Sequence, residues 1–188
     1  MKLQINNRVD RDARKSVAAF RKFTTLAIKA HFGDDATIHS YENSENPDEH
    51  KRDLYNAIDG VIVDSDGWTH NYASRVTFKP QYQNFTVRGY RPSGTKTEID
   101  KIGQVDEPRP EFSIQTCVDG DRRGAVVAIA ETVELYQYIE RYKPGMRYNR
   151  QDGVGFYPVD FKPLANVKIY RVDASGNVEE ITDEYSST

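Results

Sequence analysis

The chain has 188 residues, 37% of them hydrophobic and 29% charged, with 12 Tyr, 8 Phe and a mean hydropathy of −0.76. That is enough for the core of one domain, and no window approaches the roughly 18 consecutive apolar residues of a membrane span. A formal net charge of −3 and a pI near 5.8 exclude a wholesale basic coat of the histone kind, so any nucleic-acid contact has to come from local charge.

From about Asp10 to Phe32 the apolar residues Val17, Phe20, Phe23, Ala27 and Ala30 recur at three- and four-residue steps, and Gly33 follows. The spacing predicts an amphipathic helix that stops at the glycine. The charged N-terminal residues include no apolar h-region, so no secretory signal is expected and a cytoplasmic location is the simplest. "TIHSY", residues 37–41, reads as a short strand, after which Asn46 and Pro47 open a second short helix through about Ala57. Residues 34–53 carry Asp34, Asp35, Glu42, Glu45, Asp48, Glu49 and Asp53 against Lys51 and Arg52, the pattern of a solvated acidic flank.

Beyond Gly60 short β-rich runs alternate with turn residues: "VIVDSDGW", "SRVTFK", "NFTVRGYR", "TEIDKI", "EFSIQTCV" and "AVVAIA". Links this short predict an antiparallel meander. Cys117 lies in one of these apolar runs and reads as a core residue; a single cysteine allows no internal disulfide and no thiol framework for zinc. Thr132 is placed to cap a helix over 132–142, with Leu135, Tyr138, Ile139 and Tyr142 on one side, ending at Pro144-Gly145. "GVGFYPVDF", "NVKIYRV" and "NVEEI" complete the strands, and the tail from about 183 to 188 is expected to fray. The fold expected is a single α+β domain over 1–188: a mainly antiparallel sheet with the long N-terminal helix and the helix near 132–142 packed on it.

Two stretches are basic and aromatic together. In "RVTFKPQYQNFTVRGYR", residues 75–91, alternation puts Arg75, Thr77 and Lys79 on one face of the first strand and Thr86, Arg88 and Tyr90 on one face of the second. Read as a hairpin, it buries Val76, Phe78, Phe85 and Val87. In "RYKPGMRYNR", residues 141–150, Arg141, Lys143, Arg147 and Arg150 occur without an acid and Tyr142 and Tyr148 are interleaved. The helix dipole accounts for Arg141 and Lys143 but not for Arg147 and Arg150. Single-stranded nucleic acid is held by cations along a groove and by aromatic platforms under its bases. The candidate site is therefore Arg75, Lys79, Arg88, Arg91, Lys143, Arg147 and Arg150 on phosphates, with Tyr90, Tyr142 and Tyr148 stacking. The start of the first helix adds a weaker cluster, Arg8, Arg11, Arg14 and Lys15 against Asp10 and Asp12, and the premise is that two of these three clusters meet in space.

The expected function is a non-enzymatic binder of single-stranded DNA or RNA, of a kind compatible with a phage replication or transcription accessory protein, with no cofactor. A competing reading is a module that binds or inhibits a host protein through its acidic stretch at 34–53. A strand edge near the C-terminal hairpin points to a homodimer.

A third reading starts from "AIDGVIVDSDGWTHNYASRVTFK", residues 57–79, with its Asp at a strand start, turn, and strand ending in Lys. This segment resembles the core of PD-(D/E)XK nucleases, and the resemblance implies a divalent metal held by that Asp and by an acid-x-Lys on the next strand. Here Thr77-Phe78-Lys79 stands in that place, and a hydroxyl is a poor substitute for a carboxylate on a hard cation. Asp160-Phe161-Lys162 has the right form, but Asp152 precedes it across a Gly-rich turn. Asp59, Asp64 and Asp66 are read instead as turn formers.

Overall fold

The computed structural model describes residues 13–41, 45–49, 56–78, 81–104 and 106–186. A helix, α1, runs over residues 13–32, and the turn Phe20–Thr24 within it is π-helical. Thr24, fully buried at that turn, hydrogen-bonds the hydroxyl of Thr116 at 2.7 Å. Gly33 ends the helix at φ 106°, where a side chain would be strained and its Cβ would collide with Ser65.

Seven strands form the main sheet: β1 (Thr37–Ser40), β2 (Gly60–Val63), β3 (Thr69–Thr77), β5 (Phe112–Val118), β6 (Ala125–Glu131), β9 (Lys168–Val172) and β10 (Val178–Glu180), in the order β1-β2-β3-β5-β6-β9-β10. A second sheet has the order β4-β8-β7, built from β4 (Asn84–Tyr90), β8 (Gly155–Asp160) and β7 (Arg147–Tyr148). The helices α2 (Glu98–Ile102), α3 (Thr132–Tyr142) and α4 (Thr182–Ser186) complete the single α+β domain. Among the described residues no helix is long and apolar enough to cross a membrane.

Strand alternation divides the core in two. Ile114, Val127, Ile129 and Tyr170 face Phe23, Ala27 and Ile28 of α1. Cys117, Val126, Ala128 and Ile169 face the opposite way, toward Leu135 and Ile139 of α3, Phe85 and Val87 of β4, Val159 of β8, and Phe161. The central strands are thus covered on both faces, which is why "AVVAIA" in β6 is a continuous apolar run rather than an alternating one. Cys117 is buried as expected, and burial pushes its thiol pKa up to about 12.

Several expectations are corrected. β3 and β4 do not form a hairpin: β3 pairs with β2 and in parallel with β5, while β4 pairs with β8. Val76 and Phe78 consequently pack on the α1 side of the main sheet, whereas Phe85 and Val87 belong to the other core. The parallel β3–β5 pair also breaks the meander, and its connection is long enough to hold β4 and α2. "TEIDKI" is not a strand but α2, opened by a capping box in which Thr97 and Asp100 satisfy each other's backbone N–H groups. Thr132 does not cap α3; it is the first helical residue, and its buried hydroxyl bonds Ser113 at 2.8 Å. Within the tail Thr182–Ser186 form the helix α4, where Tyr185 packs 6.0 Å from Phe161. Of the expected second helix residues 47–49 and 56 are described and helical, whereas Ala57, at φ 57°, is described and lies outside a helix.

Asp64 is a turn former, as its sequence context suggests. It accepts the N–H groups of Asp66 at 3.0 Å and Trp68 at 2.8 Å, and its other oxygen meets His70 Nε2 at 3.0 Å. His70 Nδ1 lies 2.9 Å from Glu111. Burial works against the charged imidazole, but hydrogen bonds to the two carboxylates outweigh it, and its pKa is raised above the ordinary 6.5. A raised folded-state pKa stabilises below the unfolded value and is lost as pH climbs through the folded one. The stability difference between the wild type and His70→Gln, from urea titrations, is therefore expected to be larger at pH 6 than at pH 9. Phe161→Ala, which empties a site 1% exposed between Phe85 and Tyr185, is expected to cost about 3–5 kcal/mol in the same assay.

Candidate functional site

The two sheets meet where β3 loses one of its neighbours. β2 pairs with β3 only over Thr69–Tyr72, and among the described residues no strand covers that edge from Ala73 to Thr77. Asp59, just before β2, caps the open edge: its carboxylate accepts the N–H of Ser74 at 2.6 Å. It is therefore not the turn former its sequence context suggests.

Gln115, on β5 beside Arg75, joins the sheets with one side-chain amide. Its Oε1 accepts the N–H and hydroxyl of Thr86 on β4, at 3.2 and 3.1 Å, and its Nε2 donates to the carbonyl of Arg75 at 3.4 Å. Only 1% of Gln115 is exposed, so the amide replaces water for an edge strand that meets the main sheet face.

Glu98, the first residue of α2, is the second tie. One oxygen pairs with the Arg75 guanidinium and lies 3.9 Å from that of Arg88; the other accepts the backbone N–H of Arg88 at 2.9 Å. Both guanidinium groups lie over the ring of Phe156 on β8, at 5.1 and 5.9 Å from its centre. Burial pushes the Arg88 pKa below its ordinary value, Glu98 opposes the shift, and Arg75 and Arg91 add to it.

Two spaces open on either side of Arg75. One is an inner cavity of about 310 Å3, lined by Asp59, Ser74, Arg75, Thr86, Arg88, Arg91, Glu98, Lys101 and Gln115 among others. The other is an open groove of about 910 Å3 between β3, β4 and the β7–β8 arm, lined by Arg75, Tyr82, Asn84, Thr86, Arg147, Tyr148, Arg150, Gln151 and Phe156 among others. Among the described residues no carboxylate lines the groove.

The two basic stretches do meet, though not as a hairpin face. Arg147, Tyr148 and Arg150 come alongside Arg75 in the groove, and Arg147 lies 5.6 Å from the ring centre of Tyr82. Tyr90 is exposed at the rim, its ring 5.8 Å from that of Tyr148. Gly155 lets the arm close here, because a Cβ would run into Met146 and Tyr90. Arg88 and Arg91 line the inner cavity rather than an open face. Tyr142 and Lys143 sit at the end of α3 outside the groove lining, with Tyr142 packed on Tyr138 at 4.7 Å. Lys79, like Arg8 and Arg11 of the weaker cluster, lies outside the described residues.

Tyr82, Phe156, Glu98, Gln115 and Lys101 were not among the residues expected from the sequence. Only Glu98 had a local signal, the "TEID" capping box that fixes it in the first turn of a helix. The nuclease resemblance gains no ligand set: among the described residues no three His, Cys, Asp or Glu side chains gather as metal ligands would. No family model, curated protein or solved structure matches the chain.

Replacing Glu98 by Ala leaves two part-buried guanidinium groups facing each other and one backbone N–H unpaired. A loss of about 2–3 kcal/mol is expected by urea unfolding, with Glu98→Gln milder. Wild-type stability for Glu98→Ala would show that the sheets do not depend on this contact.

Proposed function

We propose that the chain binds nucleic acid, with a preference for single strands, in the groove between the second sheet and the open end of β3. The observation that carries this reading is the convergence of Arg75, Arg147 and Arg150 with Tyr82, Tyr148 and Phe156 in one groove whose described lining has no acid. Arg147 and Arg150 have no carboxylate within ion-pair distance among the described residues, so their charge is available to phosphates.

Tyr82, Tyr90 and Tyr148 are 43%, 45% and 59% exposed, unusual for large aromatic rings on a surface without a partner. Rings at such sites stack on unpaired bases of any sequence, whereas a duplex keeps its bases out of their reach. No cofactor and no chemical step belongs to this reading.

Fluorescence anisotropy with labelled single- and double-stranded oligonucleotides tests it. Single strands are expected to bind more tightly, with log affinity falling linearly against log salt. Charge reversal at Arg147 and Arg150 is expected to cost at least tenfold in affinity and to flatten that slope by about 1.4, from roughly 0.7 per single-strand phosphate. Unchanged affinity after the reversals would remove the groove as the site. Magnesium-dependent cleavage of the oligonucleotide would replace the binding reading with a nuclease.

A further inference from the structure

We propose that the groove reads adenine in the strand it holds, with the side-chain amide of Asn84 bonded to the edge of the base. The inference rests on the nucleic-acid reading above and narrows it from a strand of any sequence to one that offers adenine.

Asn84 opens β4 and lines the groove, yet it is only 6% exposed. Alternation along β4 puts it on the same face as Thr86, away from Phe85 and Val87 in the core. Thr86 gives both its N–H and its hydroxyl to Gln115. Asn84 has no such arrangement: among the described residues no hydrogen bond reaches its side-chain amide, and Asp160, opposite it across the β4–β8 ladder, is exposed. Buried amides are nearly always paired, because losing water without a replacement bond is costly. The donor and acceptor of Asn84 are thus left for whatever enters the groove.

The neighbouring residues hold that amide in place. Two positions earlier the carbonyl of Tyr82 accepts Cys117 Sγ at 3.4 Å, and between them Gln83 Oε1 accepts the hydroxyl of Tyr185. Residues 82–84 are thereby tied to β5 and to α4, so little freedom is lost when a ligand arrives. Two residues of chain span at most about 7 Å, a separation that suits one base stacked on the Tyr82 ring and bonded at its edge by the amide. Arg147 lies over the same ring at 5.6 Å, which brings a cation beside that base.

The chemistry of an amide selects the base. Its oxygen accepts and its nitrogen donates, side by side, so it matches an edge with a donor next to an acceptor. Adenine has that pair on both edges an unpaired strand presents, its 6-amino group with N7 and its 6-amino group with N1. On the corresponding outer edge guanine shows two acceptors, thymine one acceptor and cytosine one donor, so each of these has the pair only on its Watson–Crick edge.

Fluorescence anisotropy with labelled oligomers of deoxyadenosine, deoxycytidine and thymidine of equal length is the test. The adenine strand is expected to bind at least about fivefold more tightly than the other two, the lower end of what one bidentate amide contact discriminates. Asn84→Ala is expected to erase that preference while leaving the thymidine affinity and its salt dependence unchanged, since no phosphate contact is removed. Thermal unfolding checks that the variant remains folded. A strand of the purine nucleoside without the 6-amino group keeps the stacking ring and lacks the donor of both edges; the wild type is expected to bind it like the thymidine strand. That comparison needs no variant. Equal binding of all strands by the wild type would overturn the adenine site and leave the groove reading standing. A preference that survives Asn84→Ala or loss of the amino group would overturn the reading by Asn84 and trace the preference to stacking. No binding of any strand would overturn the groove reading and the adenine site together.

Discussion

The grip of Glu98 on Arg75 and Arg88 is the contact on which the rest of this corner depends. Arg75 belongs to the main sheet, Arg88 to the second sheet and Glu98 to the short helix between them, so one carboxylate sets the relative position of three elements. Two guanidinium groups over the same phenyl ring would repel each other in a half-desolvated space. A shared anion makes the arrangement possible, and its value lies mainly in the penalty that would follow its removal. With Arg75 held there, the cavity lies on one side of it and the groove on the other.

The site is also a consequence of topology. A parallel pair such as β3 and β5 cannot be joined by a tight turn, so residues 78–111 must leave the sheet and return. In an ordinary crossover that excursion is one helix laid over the sheet. Here it carries β4 and α2, and β4 recruits β8 and β7 into a second sheet that packs on the main sheet's face beside its open edge. A bare strand edge is an aggregation hazard, and Asp59 supplies part of its cover. Gln115 completes the junction by satisfying β4. The polar groups that close the edge are the same ones that line the cavity.

Local pattern was enough for the parts of the fold that local pattern controls. Alternation in "SRVTFK" and "NFTVRGYR" correctly separates Arg75 from Val76 and Phe85 from Thr86, because the side-chain period of a strand does not depend on its partner. Partner choice does depend on distant residues. β4 pairs with a strand some seventy positions further on, and nothing within 75–91 records Phe156 or Tyr157. Treating neighbours in sequence as neighbours in the sheet therefore joined the wrong strands while sorting their faces correctly. "TEIDKI" failed for a different reason: its alternation suits a strand, but the Thr97–Asp100 box supplies the helix with its first hydrogen bonds. The roles of Gln115 and Lys101 were illegible because each depends on what the other sheet or helix brings opposite it.

Net charge describes such a protein poorly. The chain is acidic, yet several of its acids are paired away from the groove: Glu180 with Lys168, Glu179 and Glu184 with Arg171, and Asp64 and Glu111 with His70. These contacts hold the far end of the sheet and the β2–β3 turn, and they neutralise cations already on the surface there. Arg147 and Arg150 line a groove whose described lining residues include no carboxylate, so positive side chains are gathered there although the net charge is negative. A field confined to one concave, partly desolvated surface is stronger than the same charges spread over a convex one, because less water screens them.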